Sequence, residues 1–263
     1  MNVRLVSEFR RLYLQADAPQ PVMGARLGLL GPDGGVRCMV LSLGRPADWP
    51  ALSAVWRGVQ IDFELPAPAI AVNGVDAYEL WFSLAVPVPL DQAHAFLMGL
   101  RRRYLADVKA HRLELRPSAD GATAASTTPM IPATPADSGL WSAFVAPDLA
   151  AVFGEEPALD LPPGLEAQAD LLSRLKPMSL PAFEAALSQL LPEEPDGGTP
   201  VAPVVTAQVT AQGLSAPRSM VFDPEEPVDV LREDARRFLQ AVMNDAAVPM
   251  ALRIEAAKAL LTC

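Results

Sequence analysis

Cysteine and histidine are almost missing from this chain, with two of each in 263 residues. Cys38 in an apolar run and Cys263 cannot build a disulfide framework or a structural zinc site, and His94 and His111 alone do not support histidine-rich metal chemistry. No apolar run approaches the roughly 18 residues of a membrane span, so no membrane partner is expected. The stretch Met1–Glu8 has no apolar signal region ahead of a small-residue cleavage site, which makes cytoplasmic residence the expectation. Nucleophile elbow, Walker-type loop and dinucleotide fingerprint are all missing. Ser42, Ser53 and Ser83 have no His/Asp arrangement around them, so no catalytic residue and no cofactor is assigned.

Hydrophobic residues are plentiful at 51%, enough for a sizeable core, and the net charge of −10 is unevenly spread. Residues 1–118 carry 13 basic and 11 acidic side chains (+2), and residues 119–263 carry 8 and 20 (−12). A phosphate-binding surface would therefore be local and N-terminal.

The pattern predicts an α+β chain: an N-terminal antiparallel or mixed sheet with flanking helices, followed by a helical C-terminal region. Leu5, Phe9 and Leu12 favour a helix over 3–14. Arg26–Leu30, Gly31-Pro32-Asp33-Gly34-Gly35 and Val36–Leu43 read as a β-hairpin. Asp48 caps a helix to about Trp56, with Pro50 in its first turn. Val59–Leu65 and Ala69–Val72 read as short strands. The tight turn Asn73-Gly74 then leads into Tyr78–Val86, with Tyr78, Leu80, Phe82 and Leu84 on one face and Glu79, Trp81 and Ser83 on the other. Asp91 is expected to cap the next helix, which ends in Arg101-Arg102-Arg103-Tyr104. These elements make a domain over 1–117. Residues 118–138 read as a linker, and 139–192 as a helical segment that either completes the first domain or stands alone. Residues 193–221 read as a flexible acidic, Pro-rich stretch, and 222–263 as a helical hairpin (229–244 and 249–261).

The order Val40-Leu41-Ser42-Leu43-Gly44, helix from Asp48, then Ala69–Gly74 leading into Trp81–Leu84 resembles the core of archaeo-eukaryotic-type primase-polymerases over about residues 25–105. In that family an Asp-hydrophobic-Asp pair on a strand holds divalent metals, and a Ser-Gly turn leads into a strand whose His contacts the triphosphate. Here Ser42 and Gly44 stand at the carboxylate positions, Asn73 replaces the turn serine, and Tyr78 (or Glu79, with one residue inserted) falls at the histidine. The resemblance thus implies a scaffold retained without its metal ligands.

Arg101, Arg102, Arg103, Lys109, Arg112 and Arg116, interleaved with Tyr104 and His111, form the one basic cluster, facing either phosphate or plain solvent. With Asn73 and Tyr78, Arg101–Arg103, Lys109 and Arg112 are the candidate nucleic-acid contacts, for DNA or RNA. Asp62 and Glu64 read as a solvated strand face, or with Glu79 as relocated metal ligands, although no metal is assigned. Trp49, Trp56 and Trp81 read as core aromatics or as a stacking platform.

The pair 238–245 and 249–261 resembles the helices near the end of some phage terminase small subunits, which implies self-association or a protein partner through 229–261. The leading expectation is a non-catalytic bacterial or phage-related protein that binds nucleic acid and/or a protein. The alternatives are an adaptor without a nucleic-acid role and an enzyme with relocated carboxylates.

Overall fold

A computed structural model describes residues 2–191, apart from 16–17, 19–24, 120, 122–125 and 135–138. The chain divides into two units, Met1–Gly198 and Thr199–Cys263, and every described residue lies in the first. The expected flexible stretch 193–221 and the helices 229–244 and 249–261 lie outside the described residues.

In chain order the elements are α1 (Val3–Leu12), β1 (Arg26–Gly28), β2 (Val36–Gly44), α2 (Trp49–Ile61), β3 (Ala69–Val72), β4 (Ala77–Val88) and α3 (Leu90–Tyr104). They are followed by β5 (Leu113–Arg116), β6 (Thr127–Pro129), β7 (Ala143–Val145), α4 (Leu165–Ser173) and α5 (Leu180–Leu190). A five-stranded sheet has the order β5-β2-β4-β3-β7, and every ladder in it is antiparallel. The run β2-α2-β3-β4-α3-β5 is a βαββαβ unit of the split βαβ kind. The fold is α+β.

Both faces of the sheet are covered. Leu41, Leu80 and Phe82 meet Leu52 of α2, Phe96 of α3 and Phe183 of α5 in one core. On the opposite face, Val40, Ala71 and Trp81 meet Phe9 of α1, Phe144 of β7 and Leu172 of α4. The 12-residue strand β4 separates these cores because its side chains alternate, Leu80 and Phe82 one way and Trp81 the other. Helix starts follow the local chemistry. Asn2 accepts from the Arg4 and Leu5 amides, and Asp48 accepts from Ala51 with Pro50 in the first turn.

Several sequence expectations change. The Gly-rich turn exists, closed by Gly31 N–H to Gly35 O at 2.9 Å, but only Leu30 bridges Val36 across it. Arg26–Gly28 instead pairs with Thr127–Pro129 in a separate two-stranded sheet. The segment expected as a linker therefore supplies β6, and Met130 and Ile131 after it are buried in the second core. Val59–Leu65 is not a strand: α2 continues to Ile61, and Asp62 ends it. Asp91 does not cap α3. Pro89 holds the cap position, and Asp91 lies in the first turn, where its charge favours the helix dipole. Segment 139–192 completes the sheet with β7 and covers both faces with α4 and α5.

Candidate functional site

The register of the sheet, rather than any contiguous motif, assembles the most polar part of the interior. Ser42 lies opposite Glu79 on one side and Glu114 on the other, and Val40 lies between Trp81 and Arg116. The rows Glu114–Ser42–Glu79 and Arg116–Val40–Trp81 are two residues apart along their strands, so they share one face. Glu79 is 3% exposed. Its Oε1 accepts from Ser42 Oγ at 3.1 Å, and its Oε2 accepts from Trp81 Nε1 at 2.8 Å. Arg116 reaches Glu79 at 3.5 Å, pairs with Glu114 at 2.5 Å, and donates to the Thr128 hydroxyl of β6 at 3.4 Å.

Burial pushes the Glu79 carboxyl above its ordinary value, while Arg116 and the two hydrogen bonds pull it back. The arrangement is a satisfied internal ion pair, which the low dielectric makes costly to leave half-built. Gly44, at the second metal-carboxylate position of the primase comparison, has no room for a side chain. A Cβ there would lie 2.6 Å from Asp76 O and 2.9 Å from Ala77 Cβ.

Asn73 and Tyr78 serve the fold. Asn73 Oδ1 accepts from the amides of Val75, Asp76 and Ala77, each at 2.9 Å, holding the turn in which Gly74 has φ +78°. Tyr78 is fully buried, and its hydroxyl lies 2.9 Å from Ala150 O and 3.0 Å from Gly154 O. As a nucleic-acid contact Tyr78 is therefore corrected: it is enclosed beneath the chain at 150–154.

The basic cluster is brought together only in part. Arg103 pairs with Asp62 at 3.1 Å and lies over the Phe63 ring at 5.1 Å, while Tyr104 donates to Asp62 at 2.7 Å. Arg112 donates to Pro46 O at 2.8 Å and pairs with Asp48 at 3.4 Å. Arg102 is exposed and donates to Leu190 O at 3.1 Å. Arg101 and Lys109 form no ion pair among the described residues, and Lys109 and His111 are exposed.

Asp62 and Glu64 do not share a strand face, because Asp62 ends α2 and Glu64 sits at φ +53° in the turn beyond it. Neither approaches Glu79, which belongs to the opposite face of the sheet. The Tyr104 hydrogen bond, aided by Arg103, holds the Asp62 carboxyl below its ordinary value. Burial and that same bond raise the Tyr104 phenol to about 12. Among the described residues no three His, Cys, Asp or Glu side chains are grouped to hold a metal ion. The tryptophans form no platform: Trp49 packs against Tyr78 on one face, Trp81 lies on the other, and Trp56 donates to Pro68 O at 3.2 Å.

The Ser42–Glu79–Arg116 association was missed because its three members come from three strands. The alternation of β4 did place Glu79 opposite the Tyr78 face. A glutamate amid Tyr, Leu, Trp and Phe in a strand was the signal available. No helix among the described residues is long and apolar enough to cross a membrane. No protein-family model matches the chain, and no curated protein matches it.

Proposed function

We infer that this chain is a non-catalytic binding protein of the cytoplasm, built on a primase-polymerase-like sheet whose catalytic positions have become structural, and that it acts as an adaptor for a protein partner. The observation that carries this reading is the closure around Glu79. Ser42 and Gly44 occupy the positions of the metal carboxylates, Ser42 is spent on Glu79, and Gly44 cannot accept a larger residue. Two-metal nucleotidyl transfer needs carboxylate oxygens facing an open site, and here the nearest carboxylate is buried and paired with Arg116. Protein contact is favoured over nucleic acid because Arg103, Arg112 and Arg116 are already paired with carboxylates. Self-association through 229–261 belongs to the same reading.

A second reading, DNA or RNA binding, rests on the surviving cations Arg101, Arg102 and Lys109 with His111 beside them. Two measurements on the full chain separate these readings. Primer extension and de novo synthesis with Mg²⁺ or Mn²⁺ are expected to give no nucleotide incorporation, and incorporation that disappears in Glu79→Gln would overturn the non-catalytic reading. Fluorescence anisotropy with short single- and double-stranded DNA and RNA is expected to show no binding. Binding that weakens steeply with salt and is lost in Arg101→Ala/Lys109→Ala would establish the second reading instead.

A further inference from the structure

The two edges of the five-stranded sheet differ in sequence. On β5, Glu114 and Arg116 alternate with leucines and Pro117 follows, so that short edge carries charge and is stopped by proline, both ordinary protections of a sheet edge. The β7 edge has neither. Leu140-Trp141-Ser142-Ala143-Phe144-Val145-Ala146 contains no charge and no proline, and its Trp, Phe and Val favour strands. A segment of this kind on a sheet edge is a template for pairing with the same segment of another molecule.

Successive residues along β7 turn their backbone groups alternately toward β3 and away from it. The outward positions on and beside the strand are Ser142, Phe144 and Ala146. At two of them other backbone closes the edge. Ser142 N–H donates to Ala133 O at 2.8 Å, and Ala146 O accepts from the Leu149 and Ala150 amides at 3.0 and 3.2 Å. At Phe144, between them, a side chain does so alone. Phe144 N–H donates to Gln168 Oε1 at 2.7 Å, and Gln168 Nε2 donates to Phe144 O at 2.9 Å.

Gln168 belongs to α4 and is 4% exposed, and its one amide reproduces the two bonds that a neighbouring strand would make at Phe144. Clefts of about 290 and 390 Å³ open between β7 and α4, each lined by Phe144, Val145 and Ala146 from one side and by Leu171 from the other. Packing of α4 therefore does not seal this edge. The amide of Gln168 does.

We propose that Gln168 is a gatekeeper, and that the β7 edge it closes is a latent self-association surface whose partner is β7 of a second copy of this chain. Without the amide, Phe144 of two copies can meet antiparallel across a two-fold axis, each N–H donating to the other's carbonyl. Buried backbone groups left without partners are costly, and that cost drives the pairing. No charge within 140–146 opposes it. The proposal goes beyond the adaptor reading and does not rest on it.

The test is Gln168→Met in the full chain, which keeps an unbranched side chain of similar length and removes the amide. Sedimentation velocity over a concentration series reads assembly, and hydrogen exchange of the Phe144 amide reads the edge itself. In the wild-type chain that amide should be equally protected at every concentration. In Gln168→Met it should exchange at least about tenfold faster at low concentration and regain protection at high concentration, as copies pair. Adding Val145→Lys places a charge on the edge strand and should return Gln168→Met to the wild-type assembly state. Where Gln168→Met does not reach the wild-type circular dichroism spectrum, Gln168→Asn, one methylene shorter and still polar, carries the same expectation. A variant that matches the wild-type assembly state at every concentration would overturn the proposal. So would association that leaves the Phe144 amide unprotected or survives Val145→Lys, because the contact would then lie elsewhere on the chain.

Discussion

The two faces of β4 bury polar groups by opposite means. On the α2/α3/α5 face, Tyr78 is the polar intruder among Leu, Val and Phe, and its neutral hydroxyl lies within hydrogen-bonding distance of two backbone carbonyls, Ala150 O and Gly154 O. On the α1/α4 face, Glu79 is an ionisable group beside the Phe9, Tyr13, Trp81 and Phe144 aromatic cluster, where ring centroids lie 5.3–6.3 Å apart. It needs an arginine, a serine and an indole to be tolerated. A neutral donor costs the fold little more than one good acceptor, whereas a carboxylate requires a network drawn from several strands.

The largest expected effect follows from breaking the charged side. Arg116→Met leaves Glu79 and Glu114 without their cation, and at neutral pH it should destabilise the unit by about 3–5 kcal/mol, as read by chemical denaturation. Desolvation already raises the folded-state pKa of Glu79, and removal of Arg116 raises it further. A carboxyl whose folded pKa exceeds its unfolded value binds its proton more tightly in the folded state, so stability must rise as pH falls through the folded pKa. The deficit of Arg116→Met should shrink on acidification from neutral pH toward the unfolded carboxyl range. Adding Glu79→Gln should recover much of the deficit at neutral pH and flatten that dependence. A deficit indifferent to both pH and Glu79→Gln would show that Arg116 acts through packing and its bond to Thr128 rather than through either carboxylate.

The neutral side should yield less. Tyr78→Phe keeps the ring and its packing against Trp49 at 5.7 Å but removes the donor near Ala150 O and Gly154 O. The expected loss is about 1–2 kcal/mol, since one or two buried acceptors lose a partner while shape is kept. A loss equal to that of Arg116→Met would erase the distinction between the two faces.

This contrast also marks what was legible in the chain. The alternation of Tyr78, Leu80 and Phe82 against Glu79 and Trp81 was readable because side chains on a strand alternate whatever it pairs with. The Asp48 cap and the Asn73-Gly74 turn were readable for the same reason, since their hydrogen bonds close within four residues. Val59–Leu65 misled because Val59, Ile61 and Phe63 alternate as a strand would. The helical spacing Leu52, Val55, Val59 was the period that the core used, leaving Ile61 73% exposed. Pairing of β1 with β6 spans 101 residues, and no local pattern in Arg26–Gly28 encodes it. Likewise, the six basic residues of 101–116 read as one surface cluster, yet three of them pair with carboxylates on other elements, Arg103 with Asp62, Arg112 with Asp48 and Arg116 with Glu79.

The smallest expected effect tests whether the rule of the buried faces reaches the partly exposed end of α3. There Tyr104 donates to Asp62 beside Arg103, and the phenol is raised to about 12 by burial first and by the Asp62 bond second. Because the folded pKa lies above the ordinary 10, any stabilisation from this proton is complete below pH 10 and is lost as pH rises through about 12. Phenolate absorbance, assigned by difference against Tyr104→Phe, should show the upper value. Asp62→Ala should move that midpoint toward 10 by part of the interval and no further, since burial is the larger cause and remains after the carboxylate is gone. A midpoint that falls all the way to 10 would instead make the hydrogen bond to Asp62 the dominant cause, and would place this end of α3 in the solvent-screened regime where the burial rule of β4 no longer operates.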